Sequence, residues 1–269
     1  MRRNVRVALL GASFLVLPAI MIGCDGGGGD DFGEYGGEVQ LLKIRIGTSP
    51  LATGSAVFYS DYVPATGETM PGENPYSALP IDTCVTNDSA TVGTDGTYTT
   101  VNVGSEVRLV GDAGTLVLTM TTAGSFTFYE SETPGAGSNF PDASFADVEW
   151  DNPATTLADA ISVPPALTVT APDPSLQVVT VPTNGNMTFT WTTVGSEEIL
   201  IAFLTFPGGI CRVNDDGTFD VPTSFLSAIN TTSGIVGIIA ADFGFENVDF
   251  GAGERSVVTM GANGQVWQY

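Results

Sequence analysis

The sequence predicts an all-β protein, a β-sandwich of one or two modules. Alternation of apolar and polar residues with period two recurs along most of the chain, the signature of half-buried strands. Turn dipeptides and proline clusters separate these runs. Charged residues are only 14% of the chain, against 33 glycines and 16 prolines, which fits an ordered, turn-rich β protein and not a disordered acidic tail.

The elements follow in order. In 38–46, Leu42, Ile44 and Ile46 face one way and Lys43 and Arg45 the other, so the two cations are expected in solvent. Residues 55–59 read as the next strand. The Pro- and Gly-rich stretch 64–80 reads as a long loop, and 81–85 as a return to the sheet. Strands are expected at 97–103, 106–110, 115–121 and 125–129, with turns at Asp95-Gly96 and Ala123-Gly124. Residues 131–165 carry Pro134, Pro141, Pro153, Pro164 and Pro165 and are patterned poorly, ending in a linker or sheet-crossing connection.

From residue 166 the alternation returns, at 166–170, 177–181 and 186–191. Met187, Phe189 and Trp191 share one face, which makes Trp191 a core residue. The nearly unbroken apolar run 198–206 is expected in the middle of a sandwich. Pro222 and a hydroxyl cap introduce about two turns of helix over 223–229. Strands at 235–241 and 255–260, and a last one at 265–269, complete the chain. The expected organisation is a β domain over 38–165 and a second over 166–269, each of ordinary domain size.

The first two dozen residues are of a different kind. Arg2, Arg3 and Arg6 precede the uncharged apolar run 7–22, which is shorter than the roughly 20 residues needed to cross a bilayer. A basic start, a short apolar run and a small residue at its exit read as a secretory signal over 1–23. The exit, Met21-Ile22-Gly23-Cys24, resembles the lipobox of bacterial lipoproteins. That resemblance implies that Cys24 is acylated and becomes the mature N-terminus, lipid-anchoring the chain to an inner or outer membrane of the cell envelope. Two or more acyl chains anchor stably where one does not. The Gly- and Asp-rich stretch 24–37 then reads as a flexible tether.

Removing 1–23 leaves five basic against 30 acidic residues, a formal charge of −25. Phosphate binding needs clustered Lys and Arg, so nucleic acid is excluded as a partner. There is no histidine, which rules out Ser-His-Asp and Cys-His catalysis and every His-bearing zinc site. Lys43 is the only lysine, and on a solvent face it makes a poor catalytic base. No pair of carboxylates is singled out for glycoside hydrolysis, and no cofactor is implied. Gly251-Ala-Gly253 lacks the third glycine and the setting of a dinucleotide loop.

Two oxygen-rich stretches are calcium candidates: Asn214, Asp215, Asp216 and Asp220, and Asp242, Glu246 and Asp249. Neither has EF-hand spacing, and Asp216-Gly217 is a common hairpin turn, so the turn reading is preferred over a metal site. Trp150, Trp267 and Tyr269 lie outside the clearest core strands, as exposed aromatics of a sugar- or peptide-binding face would; as single residues they would only cover sheet edges.

Residues 166–269, with their Pro-rich entry and Trp191 in "TFTW", resemble fibronectin type III and other immunoglobulin-like modules. The stretch "CRVNDDGTFDVPTSFLSAI" is similar to a segment of bacterial envelope lipoproteins, a resemblance that brings no activity with it. Together these imply a non-catalytic envelope protein acting by binding, adhesion or structure, with a protein or glycan ligand. The alternative from another class is an envelope glycan hydrolase using paired carboxylates.

Cys84 and Cys211 pose a separate question. Cys84-Val-Thr-Asn-Asp with Asp95-Gly-Thr-Tyr echoes Cys211-Arg-Val-Asn-Asp with Asp216-Gly-Thr-Phe. An oxidising compartment favours a bond between the two thiols. Equivalent positions in separate tandem modules would lie too far apart for one. The echo tips the expectation to two unpaired, buried thiols.

Overall fold

A computed structural model describes residues 35–63, 79–87, 97–124, 126–196, 198–205, 207–250 and 254–269. The strands of the first half are β1 (Tyr35–Ile46), β2 (Ser49–Val63), β3 (Thr83–Asn87), β4 (Thr97–Thr100), β5 (Glu106–Gly111), β6 (Gly114–Ala123), β7 (Phe126–Glu130), β8 (Gly135–Ala136), β9 (Ser144–Asp151) and β10 (Ala154–Val163). The second half contributes β11 (Thr168–Ala171), β12 (Met187–Thr192), β13 (Glu198–Leu204), β14 (Gly208–Val213) and β15 (Thr218–Val221). A one-turn helix, α1 (Thr223–Leu226), then leads to the long hairpin of β16 (Ile235–Asp249) and β17 (Glu254–Gln268). The protein is all-β and sandwich-like.

One large sheet runs in the order β10-β9-β5-β6-β7-β2-β1-β17-β16-β13-β14-β3, with β4 and β8 also paired to β2; β11-β12-β15 form a second, small sheet. Among the described strands only the β1–β17 ladder is parallel. The large sheet bends over so that β10 packs on β16 and β17. There Thr259 Oγ1 donates to Ala160 O at 2.5 Å and Ser162 Oγ to Asp242 Oδ2 at 2.9 Å. This approach is backbone on side chain, and Gly261 permits it: a Cβ there would lie 1.7 Å from Ser162 O.

Two large apolar cores result, beside a smaller cluster around Leu42, Ile44, Leu200, Ile239 and Met260 on the other face of the central strands. One gathers Val39, Leu41, Phe58, Leu109, Tyr129, Val148 and Trp150 inside the bent part of the sheet. The other fills the space between β13, β14, β16, β17 and the small sheet, around Phe189, Trp191, Ile201, Phe203 and Trp267. The cores divide largely where the sequence divides, after residue 165. The hydrogen bonding does not: β1 pairs with β17 and β3 with β14, so one sheet serves both halves.

Several local expectations are corrected. Residues 131–165 hold the hairpin of β9 and β10, in which Ala146, Val148 and Trp150 point inward; Pro141, Pro153 and Pro164 stand at its ends, not within it. β1 opens at Tyr35, inside the stretch read as tether. Residues 177–181 form no strand, only an isolated bridge from Val178 to Gln268. The two strands expected at 255–260 and 265–269 are one, because Gly261 and Gly264 continue the β17 ladder without a turn. α1 is shorter than expected and has no hydroxyl cap. Thr223 instead gives both its N–H and its Oγ1–H to Asn186 Oδ1, so the cap comes from outside the helix. The turn at Asp95-Gly96 and nearly all of the 64–80 loop lie outside the described residues.

The two cysteines are also corrected. Cys84 and Cys211 are joined in a disulfide, directly opposite each other in the β3–β14 ladder. The two cysteines are therefore ladder partners and not equivalent positions of distant modules; beyond them the echoing segments run apart, since Val85 to Asn87 pair with Ile210 to Gly208. Next to them Arg212 makes a two-pronged ion pair with Glu198, at 2.6 and 2.7 Å, and donates to Leu79 O at 2.9 Å. The edge strand β3 is thus held covalently, and the chain just before it by the hydrogen bond from Arg212.

On the opposite face of β1, Glu38 stands between Val57 and Val258, in an apolar group that includes Tyr59, Phe126, Phe128 and Phe243. Desolvation raises its carboxyl to about 7. The sign follows from linkage: the native state holds a proton that the unfolded chain has lost above about pH 4.3. Stability from this site therefore falls as pH rises through that range to about 7. Because Glu38 retains some solvent contact, the expected gain for Glu38→Gln at pH 8 is about 1–3 kcal/mol, vanishing near pH 4. Urea midpoints of the two proteins at both pH values check this; equal midpoints at pH 8 refute it.

Candidate functional site

The calcium candidates are bound into the protein's own backbone. Asp215 accepts Trp191 Nε1–H at 2.8 Å on one oxygen and the N–H groups of Val194 and Gly195 at 2.8 and 2.6 Å on the other. Asp216 accepts the N–H of Thr218, and Asp220 accepts Thr188 Oγ1–H across the β12–β15 ladder. Asn214 is tied through its N–H and amide to Asp82. The second stretch is not a loop: Asp242, Glu246 and Asp249 all lie on β16. Asp242 and Glu246 are four strand residues apart, about 13 Å, and Asp249 points to the other face. Among the described residues no three Asp, Glu or Cys side chains converge as a metal site.

The aromatic candidates are corrected too. Trp150 and Trp267 are each 1% exposed. Trp150 packs between Phe58 and Phe250, at ring separations of 4.9 and 6.0 Å. Trp267 lies against Phe189 and donates Nε1–H to Asp173 O at 3.1 Å. Tyr269 is half-buried beside Phe203, its hydroxyl donating to Asn230 O. No sugar-binding face is made from these three. Cys24 lies outside the described residues.

A carboxylate cluster does form on the sheet surface. Arg108 of β5 donates to Glu106 and Asp151, each at 2.8 Å, and to Glu149 at 3.3 Å. Its hydrogen bonds hold the Asp151 carboxyl below the usual range. The three acids therefore share one cation.

The unusual chemistry lies between the two cores. Along β17 the inward residues run Val257, Thr259, Gly261, Asn263, Gln265, Trp267. Val257 belongs to the first core and Trp267 to the second, so the three polar residues form a buried polar seam between them. Each donates to a backbone carbonyl, in β10, in the connection between the halves and after β11 respectively. Thr259 binds Ala160 O, Asn263 Nδ2 donates to Pro164 O at 3.0 Å, and Gln265 Nε2 donates to Pro174 O at 3.3 Å.

Lys43 faces this seam, not solvent. It is 4% exposed, because β1 is a central strand covered on both faces. Its Nζ donates to Phe140 O at 2.7 Å and to Asp142 Oδ1. Asn263 is its direct partner in the parallel ladder, fully buried, and donates Nδ2–H to the same Asp142 oxygen at 2.8 Å. The carbonyl oxygen of Asn263 is buried without a hydrogen-bond partner. Arg45 approaches the other Asp142 oxygen at 3.6 Å. Burial would raise the Asp142 carboxyl, but the hydrogen bonds from Lys43 and Asn263 outweigh it and hold the group below its usual range.

A buried amine and a buried carboxamide thus meet at a carboxylate that reaches solvent. Sequence reading missed Asp142 and Asn263, which are separated by 121 positions. The one available signal was polar Asn263 and Gln265 in an otherwise apolar C-terminal stretch. No family model, curated protein or solved structure matches the chain.

Proposed function

We propose that the chain is a lipid-anchored protein of the bacterial cell envelope whose β-sandwich ectodomain is structural or adhesive, with no catalytic role. The observation that carries this reading is the seam from apolar run to glycine and acid at Gly23-Cys24. Cys24 is the acylated residue, and the acidic ectodomain stands off the membrane surface. The non-catalytic part is supported by the way polar side chains are engaged. The loop carboxylates hold backbone N–H groups, and the surface acids of β5 and β9 hold Arg108. Among the described residues no helix is long and apolar enough to cross a membrane.

Cys24→Ser tests the anchor. The variant is expected to leave the membrane fraction after a carbonate wash, with the wild type retained there, because a short apolar run alone holds weakly. A variant that still pellets with membranes overturns the lipoprotein reading.

A further inference from the structure

We propose that the chain closes a covalent bond on itself at the polar seam: an amide between Lys43 Nζ and Asn263 Cγ, formed with loss of ammonia and with Asp142 as proton carrier. This is independent of membrane anchoring. It rests on three observations about one place in the fold.

The reacting groups are held in register. Lys43 and Asn263 are opposite residues of the parallel β1–β17 ladder, and their nitrogens share a single acceptor, Asp142 Oδ1. An amine does not displace ammonia from a carboxamide in water at any useful rate. Fixing the two groups side by side supplies the effective concentration that the bimolecular reaction lacks.

The two groups to be joined are buried. Asn263 is fully buried and Lys43 nearly so. The amine is desolvated, as nucleophilic lysines are, and the Asn263 carbonyl has no hydrogen bond to stabilise its ground state. A buried carbonyl left orphaned in this way calls for an explanation, and a reacting electrophile is one.

A proton carrier touches both nitrogens. The Asp142 carboxylate takes a proton from the Lys43 ammonium, and the freed amine adds to Asn263 Cγ. Asp142 returns that proton to Nδ2 and takes a second from Nζ as the Cγ–Nδ2 bond breaks. The departing ammonia collects the second proton from Asp142 and leaves as ammonium. One C–N bond replaces another, charge is conserved, and no oxidant, reductant or cofactor takes part. Asp142 sits partly in solvent, which gives the ammonium an exit. The product keeps one N–H on Nζ, and Phe140 O at 2.7 Å is in place to accept it.

The sequence makes the test clean, because Lys43 is the only lysine and cleavage after arginine separates the partners. The purified full chain is reduced, unfolded and digested after arginine. The expected product is a branched peptide in which the segment ending at Arg45 is joined to residues 256–269, lighter than their sum by one ammonia. In the unfolded, undigested protein Lys43 is then inert to an amine-acylating reagent.

Recovery of the two peptides unlinked, with Lys43 acylated, overturns the proposal. So does loss of ammonia without branching, which marks a succinimide at Asn263-Gly264. A branch from Lys43 to the peptide 109–212, lighter by one water, also overturns it, since the bond is then to Asp142. In Asp142→Asn, expressed alongside, Lys43 is expected to be fully acylated. A branched peptide from that variant removes Asp142 from the step. The wild-type digest needs no variant to fold.

Discussion

Removing the disulfide, by Cys84→Ala together with Cys211→Ala, is expected to cost about 4–5 kcal/mol of stability. The bond spans 127 residues, and cross-linking a loop of that size removes about this much conformational freedom from the unfolded chain in the chain-entropy model. The loss is compounded because Cys211 is fully buried in the second core. Urea unfolding of the oxidised wild type, the reduced wild type and the double variant measures the effect. The reduced wild type is expected to unfold well below the oxidised protein, and the variant lower still because it also loses the buried Cys211 side chain. Coincident midpoints for all three would show that the pairing of β3 with β14 owes nothing to the bond.

Trp191→Ala is expected to cost about 3–5 kcal/mol, the range for deleting a large buried aromatic. Trp191 is 5% exposed and packs in the second core on the same face as Met187 and Phe189. Its indole N–H also satisfies Asp215, whose other oxygen orders the turn at Val194 and Gly195. Trp191→Phe keeps most of the packing and removes that hydrogen bond, so a smaller loss of about 1–3 kcal/mol is expected. Thermal unfolding of both variants separates the two contributions. A wild-type melting curve for Trp191→Ala is incompatible with the core placement.

What could be read from the sequence was whatever depended on near neighbours. Met187, Phe189 and Trp191 alternate as a strand with one covered face, and β12 has that face inward. The same rule misplaced Lys43, because alternation assumes that the second face of a strand is wet. β1 has neighbours on both sides and cover on both faces, so Lys43 is buried with Asp142 as its counter-charge. Ala146, Val148 and Trp150 alternate just as regularly, but the prolines around them masked the strand. Asp142 and Asn263 were hard to read for a different reason: Asp142 has no unusual local setting and Asn263 only its polarity in an apolar stretch, and the long-range closure of β10 over β17 brings them together.

The parallel pairing of β1 with β17 has a consequence for the order of events in folding. Val39 finds its partner at Thr259 and Lys43 finds its own at Asn263, nearly the whole described chain later. β1 can zip against β2 as soon as both exist, but its other edge waits until the C-terminus emerges. Until then β1 presents an open row of N–H and C=O groups, the kind of edge that recruits other chains. Pairings over such separations are slow to form. A truncation that removes β17 therefore leaves more than a shorter protein: it leaves a sheet with a permanent vacancy at its centre. Such chains are expected to aggregate or to be degraded.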